Sequence, residues 1–439
     1  MKSLTNTVIA KQFIRLTRPL FHYLHRRPID LILIVTLTLI SGVLTFYQTQ
    51  RFPATIFEFK MVDVWFDSDC GDRLYDTLTN RFTTYNAVNN SHPLLPSIGF
   101  GLVLLVKTLS GTSNITSIRL VMSALAATVI VTLFVLMRLI GCRQFDALLF
   151  SILAGATATA QFWFVYLDSF VLGAESILLP LCLVAMSEYR KLPTSWYIAA
   201  NVMALSITVT NWIAGIAATL CRYKWKQALQ IFVVTIVIIV LLASLQKLFF
   251  PTAGIRSLFF PTAQLGYASF PPQDILDRIQ VFFFHSIVMP AIQTMINPYP
   301  HVPGYGLLMT IQNSGLGSAS VWGKVAVLLW AGLLALGGWS LLVLRQHLRL
   351  RITLGVTLLG ALALHSVHGR ETFLYAPHYA FLLIILASLT TLTRQRTIAI
   401  ALALLLCFTA SINNVAQLNR ATTFVQTYES HRSNPNAVP

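Results

Sequence analysis

An acidic segment near residue 70 carries the side chains best suited to chemistry. Between Trp65 and Asp76 the chain places four carboxylates, at Asp67, Asp69, Asp72 and Asp76. Carboxylates this close repel one another unless a cation, a metal ion or a substrate donor compensates them. One of them is therefore a candidate for a general base or a metal ligand. For Asp72 and Asp76, which are four residues apart, a solvated helix face is an equally open interpretation.

Two further polar groups adjoin apolar runs. His92 stands before Pro93, which suits the first turn of a helix, and an imidazolium there could bind a lipid phosphate. The alternative is a helix start with an incidental histidine. Asp168 could act chemically or cap the following helix, and Glu175 lies farther along that helix. Because an unpaired carboxylate inside an apolar run is costly, a polar site near both is expected.

A third polar segment, near residue 370, offers donors for an anion. Arg370 supplies the planar fork that binds phosphate oxygens, and His368 and His378 could add hydrogen bonds. Glu371 could compensate this charge or bind a metal ion, for which Mg²⁺ or Mn²⁺ is expected. As a zinc site, His365, His368 and Glu371 form a weak pattern, since histidines three residues apart occur by chance.

Composition places these groups in a membrane protein. The 439 residues are 56% hydrophobic and 10% charged, and the mean hydropathy is +0.69, values that a soluble domain of this size would not show. The net charge of +16 comes from short clusters between apolar runs rather than from one basic face, which argues against nucleic acid as a partner. Motifs for nucleotide binding or zinc hydrolysis are absent from the sequence.

The apolar runs predict an all-α membrane protein with about eleven transmembrane helices and further helices in the first outer loop. Two outer loops are long, 48–114 and 247–321, and the runs near 200–221 are short for a span. The predicted passes lie near residues 30–47, 115–137, 147–167, 170–187, 196–210, 211–221, 228–246, 322–344, 353–368, 378–393 and 397–413.

Charge distribution predicts the orientation. If the short run Leu94–Leu109 lies at the interface, every basic turn falls on the side of the basic N-terminal residues 1–29, as the positive-inside rule requires. The N-terminus is then cytoplasmic, residues 30–413 form the membrane domain of a cytoplasmic membrane protein, and the tail 414–439 lies outside. Twelve of the fifteen acidic residues fall on the outer side, so we expect the site there.

The order of these features resembles the GT-C glycosyltransferases. A first span is followed by an acidic outer loop, by His92-Pro93 before a short helix, by a basic turn, and by Asp168-Ser169 at the outer end of a later span. The superfamily includes protein O-mannosyltransferases, the aminoarabinose transferase that acts on lipid A, and the catalytic subunit of oligosaccharyltransferase. The resemblance covers about the first 190 residues, and the remainder is similar only in style.

The resemblance implies a GT-C-like fold and an inverting transferase that takes a sugar from a polyprenyl-phosphate donor. It implies that Asp69, or less favourably Asp67, is the catalytic base, and that Asp168 is the second acidic residue of the site. A basic residue at the position of His92 is implied to hold the donor phosphate. Two departures matter. The Asp-Glu pair of the mannosyltransferases is here Asp67-Ser68-Asp69, and the acceptor motif of oligosaccharyltransferase is missing, which disfavours protein N-glycosylation.

Chemical logic agrees with these roles. An acceptor hydroxyl that attacks the anomeric carbon needs a carboxylate to take its proton and cations to hold the departing phosphate. Asp69 supplies the first role, and Arg370 with His92 or His378 the second. The acceptor could be a lipid, a glycan or a protein.

Two rival interpretations stay open. In a transporter or lipid flippase, carboxylates inside the membrane such as Glu175 would couple to protons or substrate. However, the sequence has no inverted repeat, and its acidic residues lie at the rim rather than in mid-span. A noncatalytic subunit of an envelope complex is the other rival, because the first-loop motif departs from its relatives.

Overall fold

The fold is built almost wholly of helices. A computed structural model of the protein describes residues 28–58, 64–68, 74–83, 92–253, 274–296 and 307–433. Its main elements are α1 Pro28–Thr49, α2 Leu95–Ser110, α3 Asn114–Leu139, α4 Gln144–Ala156, α5 Phe170–Tyr189, α6 Thr194–Ile207, α7 Trp212–Leu220, α8 Trp225–Phe249, α9 Ile275–Gln280, β1 Gln293–Ile296, β2 Leu307–Thr310, α10 Val321–Val343, α11 Leu348–His365, α12 Ala380–Ser388 and α13 Arg396–Ser433. Short turns of helix lie at Thr55–Glu58, Tyr75–Thr79, Ala158–Trp163, Val209–Asn211, Val281–His285, Thr372–His378 and Leu389–Leu392.

Within the described ranges, seven helices are long and apolar enough to cross a membrane: α1, α3, α5, α8, α10, α11 and α13. The bent pair Thr372–His378 and Ala380–Leu392, which meet at 53°, makes an eighth if it counts as one span. The prediction of a helical, multi-pass membrane protein is confirmed. Helices α4, α6 and α7 coincide with three further predicted passes but are shorter than the roughly twenty residues that a span needs. The count of eleven therefore stays a prediction.

Burial separates central helices from those that face lipid. In α5, 78% of the apolar stretch is buried, so this helix forms the centre of the bundle. In α1 the buried share is 17%, and apolar side chains such as Leu39 and Val43 remain exposed. An apolar helix surface of this kind is stable against lipid and not against water.

Three pairs of acidic and basic side chains mark one end of the bundle. Arg138 Nε donates to Asp30 at 3.0 Å, the fork of Arg396 binds Asp146 at 2.7 and 2.8 Å, and His347 pairs with Glu188. These acids are the ones that the sequence places on the side of the basic turns. We call this the basic end of the bundle and the opposite end the site end.

Helix α2 contacts the site end through both of its termini. The backbone N–H of Leu94 donates to the carbonyl of Ser206 at 3.0 Å, near the end of α6. The Nζ of Lys107 donates to Asn114 Oδ1 at 2.7 Å, at the start of α3. Both termini of α2 therefore lie at one end of the bundle, the arrangement expected of a helix that lies at the interface.

Helix α13 is longer than the last predicted pass. It continues from residue 413, where the sequence predicts an outer tail, to Ser433. Buried Leu418, Ala421 and Val425 recur at helical spacing in this extension, and Arg51 Nη2 donates to Thr422 Oγ1 at 2.8 Å. The predicted tail is thus a packed helix up to Ser433, because its apolar face has the chain after α1 as a partner.

The pair between Asp146 and Arg396 predicts a large effect on stability. Asp146 is 1% exposed and Arg396 is 29% exposed, so Asp146→Asn removes the buried carboxylate but leaves a guanidinium that water partly reaches. The variant should lower the free energy of unfolding by about 2 kcal/mol. Adding Arg396→Gln should restore part of the loss, because the unpaired charge is then removed as well. Denaturant titration of the single and double variants in detergent measures both. A double variant that is less stable than Asp146→Asn would contradict the explanation.

Candidate functional site

The turn Val64–Asp67 is anchored at the site end by aromatic side chains. The ring of Trp65 stacks on Tyr166 with centroids 4.9 Å apart, and the ring of Phe66 contacts Phe373 edge-on at 5.2 Å. Phe66 and Asp67 have φ values of 51° and 60°, a conformation that residues other than glycine seldom adopt. Such strain persists only where the surroundings fix the backbone. The aromatic packing therefore holds Asp67, which is partly buried, in one position.

Strand β2 connects this turn to a loop far away in sequence. The backbone N–H of Met309 donates to the carbonyl of Val64 at 2.9 Å. The hydroxyl of the next residue, Thr310, donates to Glu371 Oε2 at 2.5 Å. Because neighbouring residues of one strand contact both segments, Glu371 lies within electrostatic range of Asp67.

Glu371 is a buried carboxyl whose hydrogen bonds do not fully offset the loss of hydration. Its side chain is 3% exposed, and Oε1 has no hydrogen-bond partner in the described part of the chain. Burial raises the pKa of Glu371 to about 8, the hydrogen bond from Thr310 opposes this rise, and the charge of Asp67 adds to it. At neutral pH Glu371 is therefore mostly protonated. Asp67, which is only partly buried, is the more solvated of the two carboxyls.

The described residues do not fit the metal site for which Glu371 is a candidate ligand. These ranges contain no group of three histidine, cysteine, aspartate or glutamate side chains that could hold an ion. Asp69 and Asp72, which could complete such a group beside Asp67, lie outside the described residues. Metal dependence therefore stays a prediction from the sequence.

Histidines from three segments meet beside the start of α5. The rings of His365 and His378 are 6.3 Å apart, and the ring of His378 contacts Phe170 edge-on at 5.1 Å. His92 lies within electrostatic range of His378, and its Nδ1 donates to the carbonyl of Ile207 at 2.6 Å. His92 and His378, which the sequence offers as alternative residues to hold a phosphate, lie in one neighbourhood. Their binding of phosphate stays a prediction.

Asp168 has the contacts of a helix cap. Its Oδ1 accepts hydrogen bonds of 3.3 Å from the backbone N–H of Phe170 and from the hydroxyl of Ser169. These contacts fit the cap interpretation, and Asp168 lies two residues from a ring that contacts His378. A chemical role for Asp168 stays a prediction.

A cavity of about 210 Å³ adjoins the histidines. Aliphatic side chains such as Ile213 and Ala361 line much of it, and its polar lining comes from Thr210, Asn211, Thr357, His365 and His378. His365 Nδ1 and His378 Nε2 are buried without hydrogen-bond partners in the ranges that the structure describes. A cavity larger than the roughly 150 Å³ known to hold benzene has room for an apolar group of several carbons.

Two arginines belong to the same region, and the sequence indicated only one of them. Arg370 is exposed, next to Glu371. Arg278 in α9 is 3% exposed, and burial together with the charge of Arg278 lowers the pKa of His368. The pattern that could have indicated the burial of Arg278 is its helical spacing. It stands three, four and seven residues before Val281, Phe282 and His285, which are all buried.

Asp67, Glu371, His92, His378 and Arg370 thus come from distant segments to one end of the bundle. Asp69, the base that the sequence favours, lies outside the described residues. Comparison with protein-family models, with curated proteins and with solved structures finds no match to this chain.

Proposed function

We propose that the protein is a membrane glycosyltransferase that takes a sugar from a polyprenyl-phosphate donor at the outer face of a cytoplasmic membrane. The observation that carries this proposal is the pair of Asp67 and Glu371. Two carboxyls that lie close together but differ in burial are a common arrangement for proton transfer. A GT-C-type fold with about eleven passes, a cytoplasmic N-terminus and an outer C-terminus belong to the same proposal.

The reaction is a single displacement at the anomeric carbon. The acceptor oxygen forms a bond to that carbon, the bond to the phosphate oxygen breaks with its electron pair, and the configuration inverts. The acceptor proton passes to a carboxylate of the first loop, Asp67 or the neighbouring Asp69. Arg278, Arg370 and the imidazoles of His92 and His378 hold the phosphate that departs. A divalent metal ion, Mg²⁺ or Mn²⁺, stays a prediction from the sequence, and the acceptor could be a lipid, a glycan or a protein.

The 210 Å³ cavity supports a lipid-linked donor rather than a soluble one, because its lining surface is mainly apolar and adjoins the polar cluster. A prenyl chain moves from one apolar environment to another when it leaves the bilayer for this cavity, so little hydrophobic free energy is gained. The prenyl chain contributes by positioning the donor. The bound chain fixes the distance between the sugar phosphate and the carboxylates.

Filling the cavity tests this role. Ala361→Phe should raise the KM for the donor about 10-fold, with a smaller change in kcat, because displacement of the chain shifts the phosphate. Leu359→Phe, at a position of α11 that is 67% exposed, adds the same ring on the lipid side and should change neither constant. Steady-state kinetics with a polyprenyl-phosphate sugar measure both. Equal effects of the two substitutions would remove the cavity from the donor site.

The proposal itself is tested by incubating membranes that contain the protein with a set of polyprenyl-phosphate sugars. Mass spectrometry of the extracted lipids should show one donor converted to polyprenyl phosphate. If every donor is recovered unchanged in the presence of lipid, glycan and peptide acceptors, the proposal fails.

A further inference from the structure

The basic end of the bundle carries more positive charge than the carboxylates of the chain neutralise. The acidic side chains at this end, Asp30, Asp146 and Glu188, are each paired with a basic side chain. Residues 1–27, which lie outside the described ranges, contain no aspartate or glutamate. All the acidic residues of the other undescribed stretches adjoin, in sequence, the turn Val64–Asp67 at the site end. The surplus charge is carried by exposed side chains, namely Arg143, Lys191, Lys224, Lys226, Arg345, Arg349 and Arg394.

Basic residues from two distant segments meet beside the start of α6. Arg222 follows the end of α7, and Arg349 lies in the first turn of α11, a helix that packs against α7. Both arginines lie within electrostatic range of the phenol of Tyr197, which is fully buried in α6. The ring of Tyr197 contacts that of Tyr223 edge-on at 5.0 Å, so the turn that follows α7 is held against α6. We define the basic patch as Arg222, Lys224, Lys226 and Arg349.

An apolar stripe of α8 extends from the basic patch along the membrane-spanning part of the helix. Trp225, the first residue of α8, is 66% exposed, and tryptophan favours the boundary between lipid headgroups and hydrocarbon. Exposed Leu229, Val233 and Val237 follow at every fourth residue, so they lie on the same side of the helix as Trp225. The surface therefore joins a cationic part at the membrane boundary to an apolar part at the depth of the acyl chains.

This combination distinguishes a lipid from other anions. A soluble anion would contact the basic patch and leave the apolar stripe without a partner. A phospholipid uses both parts, because its phosphate lies at the boundary and its chains run along the helix. Basic pockets between transmembrane helices are known to bind anionic lipid headgroups. A zwitterionic headgroup carries a cation of its own and would gain less from the surplus charge.

We infer that the basic patch binds the headgroup of an anionic phospholipid whose acyl chains lie along the stripe of α8. The guanidinium forks of Arg222 and Arg349 suit phosphate oxygens, and the two lysines add positive charge. This inference concerns the end of the bundle opposite the proposed site, and it does not depend on the proposed function.

Fluorescence of Trp225 detects a lipid at this surface. The protein is reconstituted into phosphatidylcholine vesicles in which the same small fraction of lipid is replaced by phosphatidylglycerol or by phosphatidylcholine, each brominated in its acyl chains. The difference between each protein and its Trp225→Phe counterpart isolates the quenching of Trp225. We expect brominated phosphatidylglycerol to quench Trp225 more strongly than brominated phosphatidylcholine. This preference should shrink between about 0.1 M and about 1 M salt, because salt screens charges at a surface.

Three double variants locate the effect. Arg222→Gln with Arg349→Gln should lower the relative affinity for phosphatidylglycerol about 5-fold for each arginine removed. Arg222→Lys with Arg349→Lys keeps the charge and should retain most of the preference. The matched control is Arg143→Gln with Arg394→Gln, which removes two exposed charges from another part of the basic end and should leave the quenching of Trp225 unchanged.

Four results would overturn the inference. The first is equal quenching by the two brominated lipids in the wild type, a result that needs no variant. The second is an undiminished preference in the glutamine pair at positions 222 and 349. The third is an equal loss in the control pair, which would assign the preference to the overall charge of the basic end. The fourth is reversal of the quenching by inorganic phosphate at constant ionic strength, which would assign the basic patch to a soluble anion.

Discussion

Asp67→Asn is expected to lower the rate of sugar transfer by about 10²- to 10⁴-fold, the contribution of a positioned general base. The amide keeps the shape of the side chain and removes the carboxylate that takes the acceptor proton. Because the aromatic side chains around Trp65 and Phe66 hold the turn, the variant should fold as the wild type does. Transfer per mole of protein, measured with saturating donor, gives the size of the loss.

Two companion variants make this result specific. Asp69→Asn tests the base that the sequence favours, and a larger loss there than at Asp67 would reassign the proton acceptor within the loop. Glu175→Gln removes a carboxyl in α5 whose Oε1 accepts a 2.7 Å hydrogen bond from Thr132 of α3 and which has no role in the proposed displacement, so it should leave transfer unchanged. A protein that loses function only with Glu175→Gln would fit the transporter interpretation instead.

Glu371→Gln is expected to remove a pH dependence from the stability of the protein. The pKa of Glu371 in the folded protein is about 8, above its ordinary value of 4.5. The folded protein thus keeps a proton that the unfolded chain releases. This contribution is complete below pH 4.5 and is lost as the pH rises through 8. Its slope is at most about 1.4 kcal/mol per pH unit. The glutamine variant, which is neutral at every pH, should lack that slope.

Thr310→Val provides the matched comparison. The hydrogen bond from Thr310 lowers the pKa of Glu371, so its removal should shift the loss of stability to higher pH. Melting temperatures of the wild type and both variants between pH 5 and pH 9 measure the effect. A Glu371→Gln profile parallel to that of the wild type would show that the carboxyl is already ionised in the folded protein.

The helices were predictable from the sequence because lipid requires long apolar runs. The run near residues 30–47 becomes α1, and the run near 228–246 lies within α8. Helix α4 shows the limit of this argument. It forms within an equally apolar run but ends at Ala156. The chain breaks at Thr157 and begins a new turn of helix, which the Thr157 hydroxyl caps. Local hydrophobicity does not reveal such a break when both pieces are buried.

The site was less predictable, because its contacts join distant segments. The proximity of Asp67 and Glu371 depends on β2, where Met309 and Thr310 contact one segment each. A strand of four residues in a long loop gives little signal. Arg278 could have been recognised from its spacing to Phe282 and His285, yet an arginine in an outer loop is ordinarily solvated. Its burial follows from packing that the sequence does not display.

The most direct test of the central claim is the reaction itself. Purified protein in lipid nanodiscs is supplied with a radiolabelled polyprenyl-phosphate sugar and candidate acceptors, and the wild type is compared with Asp67→Asn. The account predicts that the wild type forms polyprenyl phosphate and labelled product in equal amounts, and that the variant forms almost none. Equal turnover by both proteins that persists with Asp69→Asn, or intact donor with the wild type under every acceptor, would contradict it.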